Sequence, residues 1–233
     1  MSVRAGAENT PIPRTILGLY DSTEDYNRQA DNNLIHNNAE MVLNYLGMKV
    51  KLYDVAQGIP GDDVMKDVCG ILTWFQDEEV SDAANFWAWM TRQVQSGKKL
   101  VMLKTSSAYK DKKTGVAIPF EVIEKLYTSM GLLYSGDWTD NPLVIELIDK
   151  DSGMVEFERT LDDELEAYEK IVPVNPQDKV YLKLRRTDIE DGDSATVVVT
   201  PQGGVALGDY VLLINYLNDR FRWRINPFRF FEE

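Results

Sequence analysis

The sequence predicts an α/β fold, in which a doubly wound, mostly parallel sheet is followed by a C-terminal, antiparallel, β-rich extension. Two observations predict it. Up to about residue 140, apolar segments of strand length alternate with segments of helical periodicity, as parallel strands joined by right-handed crossovers require. Beyond that point, strand-like segments mostly follow one another directly, separated by acidic or glycine-containing turns.

The first part of the predicted domain is a strand, a helix and two strands. Residues 1–14 are interpreted as a flexible lead-in that ends in a proline-stiffened linker, and the α/β domain as residues 15–140. Its first strand, at 15–22, lacks polar alternation, so we expect both of its faces to be covered. A helix at 33–47 presents one apolar face and stops at a glycine. Further strands are predicted at residues 49–55 and 68–75.

The second part repeats this alternation. A helix at 82–97 carries apolar residues, including Trp87 and Trp89, that are expected to pack in the core. A strand at 98–105 precedes a helix at 119–131, which opens with a proline and closes with a glycine. This layout is typical of flavodoxin-like and class I glutamine amidotransferase-like sheets.

The extension is assigned to residues 141–225 and is expected to pack on the same sheet or to continue it. Its predicted elements are a hairpin at 143–158, a short helix at 160–171, and strands at 179–186, 194–200, 210–216 and 220–225, with turns at 190–193 and 201–204. The last strand alternates arginine with apolar residues, which indicates a half-buried strand whose arginines pair with Glu156 and Glu158. Residues 226–233 predict a helix capped by Asn226, interpreted as the truncated start of a linker to a missing domain.

Composition restricts the classes of partner. The chain has 233 residues with 25 basic and 38 acidic side chains, a net charge of −13. Such a protein repels phosphate backbones, so nucleic acid is disfavoured and a cationic partner is favoured. A single cysteine excludes an internal disulfide, and no apolar run reaches the roughly 18 residues that a membrane span needs.

Polar residues that follow the predicted strands are the candidate ligand-binding residues, because ligands of open parallel sheets bind outside the carboxyl ends of the strands. Asp21 follows the first strand and Asp77 the third. Ser106 and Ser107 follow the fourth strand, and Asp137 and Trp138 lie in a polar loop at the expected end of a fifth. Trp138 is the tryptophan best placed to form an exposed platform on which a sugar could stack.

Cofactor and metal chemistry are disfavoured. The segment after the first strand carries three carboxylates and no glycine, so it would repel the phosphates of a flavin or dinucleotide. The single cysteine, Cys69, and the single histidine, His36, cannot form a zinc site. The acidic turns at 149–153 and 188–193 do not match the spacing of a calcium loop. We therefore predict no cofactor, no metal site and no catalytic residue.

An alternative function remains open. An amidotransferase-like or serine-type hydrolase could use Ser106 or Ser107 as nucleophile with His36 as base. Neither serine is flanked by the glycines of the G-x-S-x-G elbow.

The C-terminal stretch "RFRWRINPFRFFEE" resembles a segment of PelA-like proteins, which are large exported proteins that modify the Pel exopolysaccharide. In that family a similar stretch lies between an α/β domain and a polysaccharide deacetylase domain. The resemblance implies a periplasmic or cell-envelope location and an amino-sugar polysaccharide, cationic once deacetylated, as partner. It does not imply deacetylase activity in this chain, because such deacetylases hold their metal with an aspartate and two histidines. We expect a non-catalytic module that positions neighbouring domains or binds this glycan.

Overall fold

The structure is a computed structural model that describes residues 13–25, 27–104, 109–158, 161, 165, 168–190, 192–210, 212–215 and 220–233. The predicted lead-in, apart from residues 13 and 14, lies outside this part of the chain. In chain order the strands are β1 (Thr15–Tyr20), β2 (Lys49–Asp54), β3 (Val68–Trp74), β4 (Glu79–Val80), β5 (Lys99–Lys104), β6 (Lys110–Asp111), β7 (Leu132–Thr139), β8 (Ile145–Lys150), β9 (Tyr168–Pro173), β10 (Lys179–Arg186), β11 (Asp193–Thr200), β12 (Gly203–Leu207), β13 (Leu212–Asn215) and β14 (Arg220–Trp223).

The central sheet has eight strands within the described residues, in the order β2-β1-β3-β5-β12-β11-β10-β8. The first five are parallel to one another, whereas β11, β10 and β8 are joined by antiparallel pairings. Three two-stranded sheets pair β4 with β6, β7 with β9, and β13 with β14. The predicted α/β class, with a mostly parallel central sheet and antiparallel strands after it, is confirmed.

Helices cover both faces of the central sheet. They are α1, which begins as a π-helical turn (Ile35–Ala39) and continues as Glu40–Tyr45, then α2 (Asp62–Met65), α3 (Ala83–Gln95), α4 (Phe120–Ser129) and α5 (Pro227–Glu232). On one face, α3 and α4 bury Trp87 and Leu126 in one apolar cluster. On the other face, α1 and α5 bury Ile35 and Phe230 in a second cluster. Trp87 and Trp89 are core residues, as predicted.

Strand β12 is the largest departure from the sequence prediction. The segment "PQGG" was predicted as a turn, but its two glycines open a strand that lies between β5 and β11. Gly203 has a φ of 140°, and a Cβ there would lie 1.8 Å from the backbone oxygen of Leu100. The close approach of β12 to β5 therefore requires glycine at this position.

The hairpin predicted at 143–158 is wrong. Strand β8 pairs with β10, whereas the segment after it turns inward around Asp151, whose Oδ1 accepts hydrogen bonds from the backbone N–H groups of Gly153 at 2.8 Å and Met154 at 3.1 Å. Met154 and Val155 are fully buried, and Val155 forms a bridge with Ile225. Burial of these two apolar side chains has replaced the hairpin pairing.

The helix predicted at 160–171 is also wrong over its last residues, which form a strand. Residues 159–160, 162–164 and 166–167 lie outside the described residues, and Tyr168–Pro173 forms β9. Strand β14 ends at Trp223, and Arg224, which was expected on a half-exposed face, is only 2% exposed. The predicted pairing of Arg220 and Arg222 with Glu156 and Glu158 falls on arginine side chains that lie outside the described part of the chain.

The C-terminal helix forms as predicted. The Asn226 side chain accepts a hydrogen bond from the backbone N–H of Arg229 at 3.2 Å, and Pro227 occupies the first helical position. The helix packs on the sheet, because Phe230 is 3% exposed and the ring of Phe228 meets Tyr45 edge-on at 5.4 Å. Its role as a linker stays a prediction.

Candidate functional site: the strand-end crevice

The crevice lies at the carboxyl ends of β1 and β3. The connection from β1 leads to β2 on one side of it, while β3 and then β5 lie on the other side, so the direction of winding reverses between β1 and β3. Open parallel sheets bind ligands at such a point. Asp21 follows β1 and Asp77 follows shortly after β3, so both predicted residues lie at this edge.

Asp21 is buried and belongs to an ion pair. Its Oδ2 lies 3.3 Å from the Nζ of Lys112, and its side chain is 2% exposed. Its Oδ1 accepts hydrogen bonds from the backbone N–H of Thr23 at 2.9 Å and from the hydroxyl of Thr23 at 2.5 Å. Lys112 also lies 4.0 Å from Asp77, whose side chain is 55% exposed. Lys112 is thus a countercharge shared by the two predicted aspartates.

Glu24 connects the loop after β1 to the loop after β3. Its Oε2 accepts hydrogen bonds from the side-chain amide of Asn27 at 2.7 Å and from the backbone N–H of Gln76 at 3.0 Å. Its Oε1 accepts one from the backbone N–H of Asp77 at 3.0 Å. Glu24 is 1% exposed, and burial raises the pKa of its carboxyl from 4.5 to about 7.

This pKa predicts the pH dependence of stability. The folded protein holds the Glu24 proton up to about pH 7, whereas the unfolded chain releases it near 4.5, so the folded state binds more protons in between. The free energy of unfolding should therefore fall by about 2 kcal/mol between pH 5 and pH 8. Urea unfolding of the wild type at both values measures this loss. In Glu24→Gln the difference should largely disappear, and an equal loss in the variant would contradict the assignment.

Asp54, at the end of β2, has a similar structural role. Its carboxylate accepts hydrogen bonds from the backbone N–H of Ser22 at 3.1 Å, the hydroxyl of Ser22 at 2.7 Å, and the backbone N–H of Ala56 at 3.0 Å. The acidic side chains after β1 and β2 therefore hold the backbone of the crevice in place.

The segment after β5 begins with a left-handed residue. Lys104 has a φ of 70°, which is strained for a side chain larger than glycine, and its Nζ donates to Gln76 Oε1 at 2.6 Å. The segment that follows, residues 105–108, lies outside the described residues and includes the candidates Ser106 and Ser107. Their roles stay predictions.

His36 lies on the outer side of α1. Its side chain is 42% exposed, and its Nδ1 lies 2.6 Å from Glu40 Oε2, one helical turn further on. His36 is thus a helix-surface histidine paired with a neighbouring glutamate, which gives no support to its use as a catalytic base.

Asp137 and Trp138 form a separate site. Trp138 is 63% exposed and lies within β7, not in a loop as predicted; Asp137 Oδ2 accepts a hydrogen bond from the hydroxyl of Ser135 at 3.0 Å. The backbone oxygen of Trp138 accepts one from Arg186, at the end of β10, at 2.8 Å. Strand β10 lies five positions away from β1 in the central sheet.

Two residues of the crevice were not predicted from the sequence. Lys112 reaches Asp21 across 91 positions of the chain, and Asn27 joins Glu24 to the backbone oxygen of Trp74 at 3.1 Å. Neither lies at the end of a predicted strand, so no local pattern identifies them. Glu24 stands among the acidic residues after the first strand, but nothing in the sequence indicates its burial.

No three His, Cys, Asp or Glu side chains gather into a possible metal site among the described residues. In the two acidic turns at 149–153 and 188–193, three aspartates pair with arginines: Asp151 with Arg229, Asp188 with Arg186, and Asp193 with Arg185. None of the helices in the described ranges is long and apolar enough to cross a membrane.

A cavity of about 370 Å³ lies at the opposite edge of the sheet, at the amino ends of the parallel strands. Its lining is mostly apolar and includes Ile16, Leu43, Met48, Val101 and Phe230. Pro13, the first described residue, also lines it. We assign it no ligand, because nothing in the described part of the chain shows what covers it.

No family model matches the sequence, and no curated protein matches it. Among solved structures, the chain is similar to a β-galactosidase from Rahnella sp. R3, with 11% identity and a TM-score of 0.46 over 93% of this chain and 30% of that one. It is similar to the protein SMU.1228c, with 12% identity and a TM-score of 0.34 over 91% and 76%. It is also similar to a ThuA-like protein from Bacteroides uniformis, with 15% identity and a TM-score of 0.38 over 87% of each chain.

Proposed function

We propose that the chain is a non-catalytic α/β module of a PelA-like exopolysaccharide-modifying protein of the periplasm or cell envelope, and that it binds a cationic amino-sugar polysaccharide. The observation that carries the binding role is the exposed Trp138 ring on β7, preceded in the chain by the carboxylate of Asp137. An aromatic face can stack on a sugar ring, and a neighbouring carboxylate attracts its ammonium group. The net charge of −13 favours the same partner.

The finer fold class that we propose is a doubly wound, flavodoxin-like or class I glutamine amidotransferase-like sheet. Counted along the chain, the five parallel strands have the order 2-1-3-4-5, with helices on both faces. This is the order of the flavodoxin-like arrangement, in which the ligand site lies between the first and third strands.

The absence of catalysis is proposed because of how the crevice carboxylates are used. Asp21 pairs with Lys112, Glu24 accepts three hydrogen bonds, and Asp54 caps the neighbouring loop. Asp77, whose side chain is 55% exposed, is more exposed than these three and is the one of the four that could contact a ligand. The hydrolase alternative is not proposed, because His36 is exposed and paired with Glu40.

Titration with amino-sugar oligomers tests this function. Partially deacetylated oligomers should bind at low salt, fully acetylated ones should bind more weakly, and high salt should weaken the former selectively. Trp138→Ala should weaken binding about tenfold, and Asp137→Asn should remove most of its salt dependence. The matched control is Tyr45→Ala, which removes an 80% exposed ring at the far end of α1 and should leave binding unchanged.

Two outcomes would contradict the binding role. Equal affinity in Trp138→Ala and the wild type would remove the β7 site. The lack of binding at any salt concentration would leave a module that only positions its neighbours.

A further inference from the structure

The cavity at the amino ends of the parallel strands continues the apolar core. It measures about 370 Å³ and lies between the sheet and two helices, because its lining includes Leu43 of α1 and Phe230 of α5. Three further apolar side chains of its lining pack against the second apolar cluster but are only partly buried: Ile16, Met48 and Val101. Protein cores are close-packed, so an apolar space of this size calls for an apolar group that covers these side chains.

The cavity cannot close by collapse of its own walls. Gly204 of β12 lines it, and a Cβ at this position would lie 3.0 Å from Cζ of Phe230. The Phe230 ring therefore already rests on the backbone of β12, and α5 cannot move closer to the sheet there. Gly70 of β3 also lines the cavity, and a Cβ there would lie 3.2 Å from Cδ1 of Ile16. An additional group is needed to bury the exposed part of the lining.

The chain itself leads into this cavity. The backbone oxygen of Arg14 accepts a hydrogen bond from the backbone N–H of Lys49 at 2.7 Å, so the residue before β1 is held next to the start of β2. Pro13, one residue earlier, lines the cavity. Because consecutive Cα atoms are about 3.8 Å apart, the Cα of Ile12 is that close to a residue of the cavity wall. We propose that residues 10–12 dock in this cavity and that the Ile12 side chain covers its apolar lining.

The sequence of this segment suits an apolar cavity. Together with Pro13 it reads "TPIP", so that prolines flank an isoleucine. A proline brings no backbone N–H that would need a partner, and the residue before a proline is restricted to extended conformations. The segment therefore carries few donors into the cavity and loses little conformational freedom when it docks. Isoleucine is among the side chains most often fully buried in proteins.

Covalent attachment favours this segment over a free molecule. Since Pro13 already belongs to the wall of the cavity, the effective concentration of Ile12 at the cavity is at least of about millimolar order. A free apolar ligand or a second copy of the chain has to compete with it. The inference is independent of glycan binding, because Trp138 does not line this cavity.

Alkylation of Cys69 tests the proposal. Cys69 is the single cysteine of the chain, lines the cavity and is only partly buried. In the wild type, N-ethylmaleimide should alkylate it slowly. Ile12→Asp should raise the rate constant about tenfold, because a carboxylate does not enter an apolar lining, whereas Ile12→Leu should keep the wild-type rate. Mass spectrometry of samples taken over time measures the rates.

Two control variants separate docking from charge and from global stability. Val3→Asp adds the same charge further from the cavity wall and should leave the rate unchanged. Val80→Ala removes volume from the first apolar cluster, where Val80 is 1% exposed, and so lowers stability without touching the cavity. At equal free energies of unfolding, measured with urea, Ile12→Asp should still react about tenfold faster than Val80→Ala.

Four results would overturn the proposal. Equal rates in the wild type and Ile12→Asp would show that the segment does not cover Cys69. An increase no larger than that in Val80→Ala would reduce the effect to lost stability. A wild-type rate constant that falls as the protein concentration rises would make a second copy the occupant. Benzene should slow alkylation in Ile12→Asp alone, and equal slowing in the wild type would show a cavity open to free apolar ligands.

Discussion

Replacing Lys112 with methionine is expected to lower the free energy of unfolding by about 2–4 kcal/mol. The substitution keeps the length of the side chain but removes the countercharge of Asp21, whose side chain is 2% exposed. Removing Lys112 leaves the Asp21 carboxylate buried without a countercharge, stabilised by the two hydrogen bonds from Thr23. The cost lies below that of a fully buried pair because Lys112 is itself 25% exposed. Urea unfolding at pH 7 measures the loss.

Lys179→Met is the matched control. Lys179 is 57% exposed and lies 3.3 Å from Glu233, so this substitution removes a surface ion pair and should cost less than about 1 kcal/mol. Adding Asp21→Asn to Lys112→Met should recover part of the loss, because no buried charge is then left unpaired. Equal costs for the two lysine substitutions would show that Asp21 does not depend on Lys112.

The substitution Gly203→Ala should cost about 4 kcal/mol or more, or prevent folding altogether. Its Cβ would lie 1.8 Å from the Leu100 oxygen and 2.6 Å from the Leu100 carbonyl carbon, which belong to the backbone of the neighbouring strand. Relief would require β12 to move away from β5 and would disrupt the pairing of these two strands in the middle of the sheet. Circular dichroism and urea unfolding of the purified variant measure the effect.

Gly115→Ala separates the steric effect from backbone strain. Gly115 has a φ of 65°, and a Cβ there would meet nothing within 4 Å. This control should therefore cost only the roughly 1–2 kcal/mol of placing an alanine in the left-handed region. A similar cost for both glycines would show that β12 can move away from β5 without penalty.

The elements of the first 140 residues were predictable because their signals are local. The helices α3 and α4 carry apolar periodicity and end at glycines, and β1, β3 and β5 are apolar runs of strand length. Strand β12 has only five residues, two of them glycine, so propensity predicts a turn. It forms a strand because it pairs with β11 on one side and with β5 on the other. A local sequence pattern does not show these pairings.

The candidate site was likewise predictable only where it depends on local sequence signals. The rule that ligands bind at strand ends predicts the position of Asp21 and Asp77, because it depends only on where strands stop. It does not predict Lys112, which meets Asp21 from a turn 91 residues away. It also placed Trp138 with these aspartates, because β7 was expected to extend the central sheet, whereas β7 pairs with β9 in a separate one.

Strand β12 is synthesised long after β5, the strand with which it pairs, and this order affects folding during synthesis. Leu100 pairs with Gly203, so this contact closes a loop of 203 − 100 = 103 positions. Until the ribosome has released that segment, one side of β5 presents unsatisfied backbone groups and an apolar surface to other nascent chains. Contacts of such long sequence separation slow folding. Premature termination before residue 203 should therefore yield aggregates, and chaperone demand should be greatest in the second half of translation.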